Sequence, residues 1–127
     1  MLKKEKDFKI GIIDDHPQTA VSISQLLEHH GFKTFQAYNA KDAIEKCKAE
    51  DPDLILLDLK LGSKLSGYDV ARELNNKKIL FMTGFDVEKT KISKFKNVMG
   101  VLKKPVDIHN LIKKIRELCK IPEPKEI

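Results

Sequence analysis

Apolar residues fall into short runs and helical stripes that alternate along the chain. The tightest run is Leu54-Ile55-Leu56-Leu57, closed by Asp58. Four unbroken apolar residues predict a strand buried on both faces. Phe8–Ile13, Lys78–Met82 and Val98–Leu102 predict three more strands, and the aromatic and β-branched stretch Lys33–Tyr38 a fifth. The segments between them carry helical periodicity. Pro17 suits a first helical turn, and Ala20, Ile23, Leu26 and Leu27 follow at helical spacing. Gly31 stands where a left-handed C-terminal cap is expected. Asn39 is a good N-cap for a helix with the stripe Ala43, Ile44 and Cys47, which Asp51-Pro52 ends. Tyr68–Leu74 reads as a short helix and Val87–Phe95 as a weak, lysine-rich one. Asp107 caps a last helix whose Ile108, Leu111, Ile112, Ile115 and Leu118 form one stripe. Five strands and five helices in strict alternation predict an α/β protein with a parallel sheet and right-handed crossovers.

Composition narrows the class. A chain of 127 residues is one domain with room for a core. Residues 1–7 read as an N-terminal extension, 8–120 as the folded domain and 121–127 as a tail. No apolar run approaches the roughly 18 residues of a membrane helix. The charged N-terminus has no apolar signal core behind it, so a cytoplasmic protein is expected. Cys47 and Cys119 sit at apolar helical positions and read as buried free thiols. The net charge of +5 is uneven: residues 1–85 carry 13 Lys/Arg against 13 Asp/Glu, and residues 86–127 carry 11 against 6. The excess suits an acidic partner surface or a solvated lysine-rich helix face.

The chemistry lies at the carboxyl ends of the strands, which a parallel sheet gathers on one edge. The first strand delivers Asp14-Asp15, the third Asp58, the fourth Thr83-Gly84 and the fifth Lys104-Pro105. A lone acid at a strand end can be merely solvated. Three together repel one another unless a cation relieves them. All-oxygen ligands suit a hard ion, Mg²⁺. Lys104 and the Thr83 hydroxyl add donors for a phosphoryl group, which a carboxylate can attack to form an acyl phosphate. Gly84 leaves space and a free backbone N–H there. His16 adjoins the acids but reads as a surface residue, as do His29, His30 and His109.

With these pieces in view, the sequence resembles the receiver domain of two-component response regulators. The matching motifs are Ile-Ile-Asp-Asp-His-Pro (12–17), Leu-Ile-Leu-Leu-Asp (54–58), Gly67, Phe-Met-Thr-Gly (81–84) and Leu-Lys-Lys-Pro (102–105). The resemblance covers residues 8–120. It implies a flavodoxin-like, doubly wound, five-stranded parallel sheet in the order 2-1-3-4-5 with five helices. It implies that Asp58 accepts a phosphoryl group from a histidine kinase or phosphotransfer protein. Asp15, Asp58 and the backbone carbonyl of Lys60 would bind Mg²⁺, with Asp14 holding a metal-bound water. Lys104 would pair with the phosphate and Thr83 would move to bond it. The Lys104-Pro105 peptide would be cis. The protein would not be an enzyme beyond its own phosphorylation and slow self-dephosphorylation.

Two departures from the family pattern stand out. The loop after Asp58 has Leu61-Gly62 in place of the usual Met-Pro and reaches Gly67 one residue late. Val101 stands where such domains usually carry an aromatic ring that swings inward, and valine is stiff at χ1. Phe85 is a candidate to relay the signal instead. Lys60 and Phe85 occupy the two positions that tune phosphate lifetime in the family. Neither orients an attacking water, so slow dephosphorylation is expected. The downstream partner is expected on the basic face of the fourth helix, fifth strand and fifth helix, with the chain a monomer or a phosphorylation-dependent dimer. Direct nucleic-acid binding and membrane association are not expected. The alternative is a pseudo-receiver, an unphosphorylated docking module on the same fold. A flavin or nucleotide binder would want a Gly/Ser/Thr-rich first loop, where this chain has Asp14-Asp15-His16-Pro17.

Overall fold

The computed structural model describes residues 7–62, 65–87 and 89–121. Residues 1–6 of the expected N-terminal extension and 122–127 of the expected tail lie outside them. The elements run β1 (Lys9–Ile13), α1 (Pro17–His29), β2 (Lys33–Ala37), α2 (Ala40–Glu50), β3 (Leu54–Asp58), α3 (Gly67–Glu73), β4 (Ile79–Thr83), α4 (Lys89–Ile92), β5 (Val98–Lys103) and α5 (Ile108–Cys119). All strand pairs are parallel and the sheet order is β2-β1-β3-β4-β5. The strict alternation of the sequence has become a doubly wound sheet.

Every residue of β3 and β4 is buried, as continuous apolar runs require when helices cover both faces. β2 and β5 are the edges and are only partly covered. Strand alternation divides the core in two. Ile10, Ile12, Leu54, Leu56, Leu80 and Met82 face α1 and α5. Ile55, Leu57, Ile79 and Phe81 face α2 and α3. Phe81 is fully buried; removing such a side chain from water contributes about 1.5–3 kcal/mol. Ile121, expected in the tail, is buried in the α1/α5 half, and its N–H donates to Arg116 O at 2.9 Å.

The local signals read from the sequence hold where they rest on capping. The Asn39 side chain accepts the Asp42 N–H at 2.9 Å, and Asp107 accepts from His109 and Asn110 at the start of α5. Gly31 takes φ 96 just past α1. The fourth helix differs from expectation: Val87–Phe95 was predicted, and the helix is the single turn Lys89–Ile92. Its stretch lacks a continuous apolar stripe, and one turn cannot outweigh the cost of helix nucleation without packing. Phe95 instead leaves the helix to stack on Tyr68 (5.7 Å between centroids, 23° between planes) and meet Phe81 edge-on at 6.5 Å.

Candidate functional site

The strand register brings the predicted residues together. Ile13 pairs with Leu57 and Asp58 with Met82, while Thr83 pairs with Lys103. Asp14, Asp58, Thr83 and Lys104 therefore emerge side by side on one edge. Asp14 has no solvent exposure, and Asp58 and Thr83 are buried.

Lys104 ties the acids together. Its Nζ donates to Asp14 Oδ2 and to Asp58 Oδ2, both at 2.8 Å. The peptide to Pro105 is cis, and the Lys104 N–H donates to Thr83 O at 2.8 Å. The other oxygen of each acid is held by backbone. Asp14 Oδ1 accepts the His16 N–H at 2.9 Å, and Asp58 Oδ1 accepts the Lys60 N–H at 3.0 Å. The Thr83 hydroxyl accepts the Phe85 N–H at 3.1 Å, which folds the β4–α4 turn back on its own strand.

These contacts set the charges. Burial works against ionisation of Asp14, but the Lys104 ammonium and the His16 N–H outweigh it and hold its pKa below the usual carboxylate value. Burial dominates at Asp58, the negative Asp14 beside it adds to the effect, and its pKa is raised despite Lys104 and the Lys60 N–H. Burial also opposes the charge on Lys104, yet its hydrogen bonds to Asp14 and Asp58 raise its pKa. The site is a tightly held carboxylate, a strained one and a fixed ammonium.

Asp15 points the same way and is left incomplete. Its Oδ1 is buried with no hydrogen-bond partner among the described residues. Such an orphan is costly unless something else satisfies it. One ligand atom each from Asp14, Asp15, His16 and Asp58 lie within 4.8 Å of one another. Three clustered carboxylates, one with an unmet oxygen, fit a hard divalent cation. His16, read as a surface histidine, keeps an exposed ring (74%) but sets Nδ1 3.0 Å from Asp15 Oδ1 and 3.3 Å from Asp14 Oδ1. Its adjacency to Asp14-Asp15 was the only sign of this in the sequence.

Two glycines shape the rim. Gly62 has φ +64, and a Cβ there would stand 2.9 Å from Asp15 Oδ2. A Cβ at Gly67 would stand 2.5 Å from the Asp58 carbonyl oxygen and 2.8 Å from Leu59 Cα. Only glycine lets α3 start this close to the end of β3, where its N–H donates to Leu59 O at 2.9 Å. At Gly84 the surroundings are open, and a Cβ would meet nothing within 4 Å.

The residues expected to carry a signal outward lie beside the site. Phe85 is 58% exposed and Val101 36%. With Val87, Ile92 and Gly100 they line a cleft of about 500 Å³. Lys103 closes one side of it through a 2.8 Å ion pair with Asp86. Lys91 and Lys94 line a separate cleft with Tyr68 and Phe95, and the Lys91 ammonium stands 5.4 Å from the Tyr68 ring.

The fold and this edge define a class, a doubly wound α/β protein with an acid–lysine–threonine site at its strand ends. The family model for the response regulator receiver domain matches residues 10–116. The chain belongs to that family, whose members act in two-component signalling. It is 30% identical over 114 residues to Protein PilH of Pseudomonas aeruginosa, spanning 84% of this chain and 93% of that protein. It is 28% identical over 108 residues to the sporulation initiation phosphotransferase F of Bacillus subtilis, spanning 81% and 86%. Among solved structures, a two-component response regulator from Clostridium difficile superposes with a TM-score of 0.80 at 28% identity, covering 90% of this chain and 97% of that one. No helix among the described residues is long and apolar enough to cross a membrane.

Proposed function

We propose that the protein is a phosphoacceptor: Asp58 takes a phosphoryl group from a histidine kinase or phosphotransfer protein, and the change is read by a downstream protein. The observation that carries this is the placement of Lys104 Nζ at 2.8 Å from both Asp14 and Asp58, beside the buried Thr83 hydroxyl. A carboxylate oxygen of Asp58 attacks phosphorus, the acyl–phosphate bond forms, and the bond from phosphorus to the donor breaks. Lys104 already holds the acceptor, so it can follow the charge from Asp58 onto the incoming phosphoryl oxygens. Asp14, fully buried and held ionised, keeps the ammonium in place. Asp15, Asp58 and the Lys60 carbonyl would hold Mg²⁺, which would supply positive charge to neutralise phosphoryl oxygens. The Thr83 hydroxyl donates to the new phosphate. Its bond from the Phe85 N–H gives that movement a direct connection to the exposed Phe85 ring. Turnover of any other substrate is not part of this reading. The protein works in the cytoplasm.

The test is incubation with acetyl phosphate and Mg²⁺, read by intact mass. One phosphoryl adduct is expected, dependent on the divalent ion and absent in Asp58→Asn. No adduct, or one that survives that substitution, overturns the reading in favour of an unphosphorylated docking module. Val101 is the residue that favours the docking alternative, because it offers no ring to move between surface and interior.

A further inference from the structure

We propose that the cleft between α3 and the stretch running from α4 to β5 docks an acidic segment of a partner protein, with carboxylates set around an apolar side chain. None of the described residues lining it belongs to the acid site at the strand ends.

Charge is the first support. The cleft has a volume of about 750 Å³. Arg72 lines it from α3, and Lys91, Lys94 and Lys96 line it from the opposite wall. Asp69 is the one acid among its described lining residues, and that carboxylate is already engaged. Its Oδ2 accepts from the Ser66 N–H and hydroxyl, and its Oδ1 accepts from Arg72 at 3.1 Å. Glu73, the other acid of α3, pairs with Lys48 of α2 at 3.5 Å. Among the described residues no acid pairs with Lys91, Lys94 or Lys96. Four cations therefore face one depression against a single, neutralised acid.

The second support is that the cleft is already built. Its floor holds the stacked rings of Tyr68 and Phe95, both partly exposed. The Asn97 side-chain amide donates to the Ala71 and Leu74 carbonyls, both at 3.1 Å. That pair of bonds ties the residue before β5 to the end of α3 and fixes the two walls relative to each other. A partner is spared the cost of ordering them.

Charge and shape together select the occupant. The cations are carried on long, exposed side chains. Spread along a cleft, they suit several carboxylates on one chain. A single small anion would want a buried donor aimed at it. Nucleic acid fits less well. Each ring is flanked by the other ring and by a cation, with Lys91 5.4 Å from Tyr68 and Arg72 5.5 Å from Phe95. No bare ring face is left on which a base could stack. The exposed ring edges suit an apolar side chain with acids around it, the arrangement of an apolar interface centre with a polar rim.

The experiment uses the full chain and a fluorescein-labelled peptide of glutamates around a central leucine, with binding read by fluorescence anisotropy over a salt series. Saturable binding that weakens as salt rises is expected. An exposed ion pair is worth up to about fivefold in affinity, so Lys94→Glu combined with Lys96→Glu should weaken binding about tenfold. Lys33→Glu combined with Lys113→Glu changes the net charge equally at exposed positions outside the cleft, and should weaken binding by less than about twofold. A labelled single-stranded oligonucleotide of equal charge should bind more weakly than the peptide. In the wild-type protein the amide resonances of Arg72 and Asn97 should shift as the peptide is added, a readout that needs no substitution. No saturable binding, an equal loss in the two double variants, shifts confined to other faces, or tighter binding of the oligonucleotide overturns the proposal.

Discussion

The Lys60 ammonium stands 4.4 Å over the ring of Phe85. These residues come from the segments that follow Asp58 and Thr83, so a cation–π contact bridges the two loops beside Asp58. Neither side chain can orient a hydrolytic water, and their contact holds the loops together. The acyl phosphate should therefore be long-lived. An exposed cation–π contact contributes about 0.5–1 kcal/mol, roughly a two- to fivefold change in rate. Phe85→Ala, which breaks the contact, should shorten the half-life of the phosphorylated protein on that scale. Lys60→Asn should shorten it further by placing an amide beside the phosphate. Decay of the adduct followed by intact mass decides this, and an unchanged or longer half-life in both variants rejects it.

Asp58 makes the metal-free protein less stable than it need be. A carboxyl whose folded pKa is raised binds its proton more tightly when folded. Stability is lost as pH climbs from its ordinary value of 3.8. Asp14 runs the other way: its lowered pKa contributes stability above 3.8 that is lost as pH falls through the depressed folded value. Asp58→Asn removes the first effect and keeps the second. The variant should melt a few degrees above the wild-type protein at neutral pH without divalent ions. The gap should close toward pH 3, where Asp58 is protonated folded and unfolded alike. Mg²⁺ should raise the wild-type melting temperature and leave that of the variant nearly fixed. Scanning calorimetry across pH, with and without the ion, measures all three.

Gly67→Ala puts a methyl group 2.5 Å from the carbonyl oxygen of Asp58, and that oxygen belongs to backbone that cannot rotate away. Overpacking of this kind costs about 1–3 kcal/mol. Denaturant unfolding should show the loss. Acetyl phosphate should modify the variant more slowly, because the end of β3 has to shift. A variant as stable as the wild-type protein, phosphorylated at the same rate, contradicts this account.

The Cys47 thiol is fully buried under α2, and burial, only partly opposed by the Lys77 charge, pushes its pKa up from 9.0 to about 12. It should resist iodoacetamide in the native state and react once the chain unfolds, after the half-buried Cys119. Because the folded pKa is the higher one, its contribution to stability is complete below pH 9.0. That contribution drains away as pH rises toward 12. Cys47→Ala should flatten the alkaline fall in stability over that window, as read by melting temperature against pH.

Much of this was legible in the sequence because it depends on local chemistry. Asn39 and Asp107 announce their helices through short polar side chains that reach N–H groups two or three residues on. The acid, threonine and lysine positions follow from strand ends alone, since a parallel sheet aligns those ends. The turn of His16 toward the acids was hidden, because it goes with hydrogen bonds that its ring and its backbone N–H both make to Asp14 Oδ1. The Lys60–Phe85 contact joins two loops that no periodicity relates. The length of α4 was misjudged because Val87, Lys91 and Phe95 fit one helical face in projection, whereas Phe95 gains more by stacking on Tyr68 than by extending a lysine-rich turn.

The brevity of α4 sets an energetic threshold. With four residues, Lys89–Ile92, it has little hydrogen bonding of its own to lose. It begins six residues after Thr83 in the chain, so the helix that follows the buried threonine is also the shortest among the described residues. Its amides should exchange with solvent fastest among the helices, and fastest of all once Asp58 is phosphorylated. A modest shift at Thr83 can then be converted into a changed surface by melting and re-forming one turn, with no ring required at position 101.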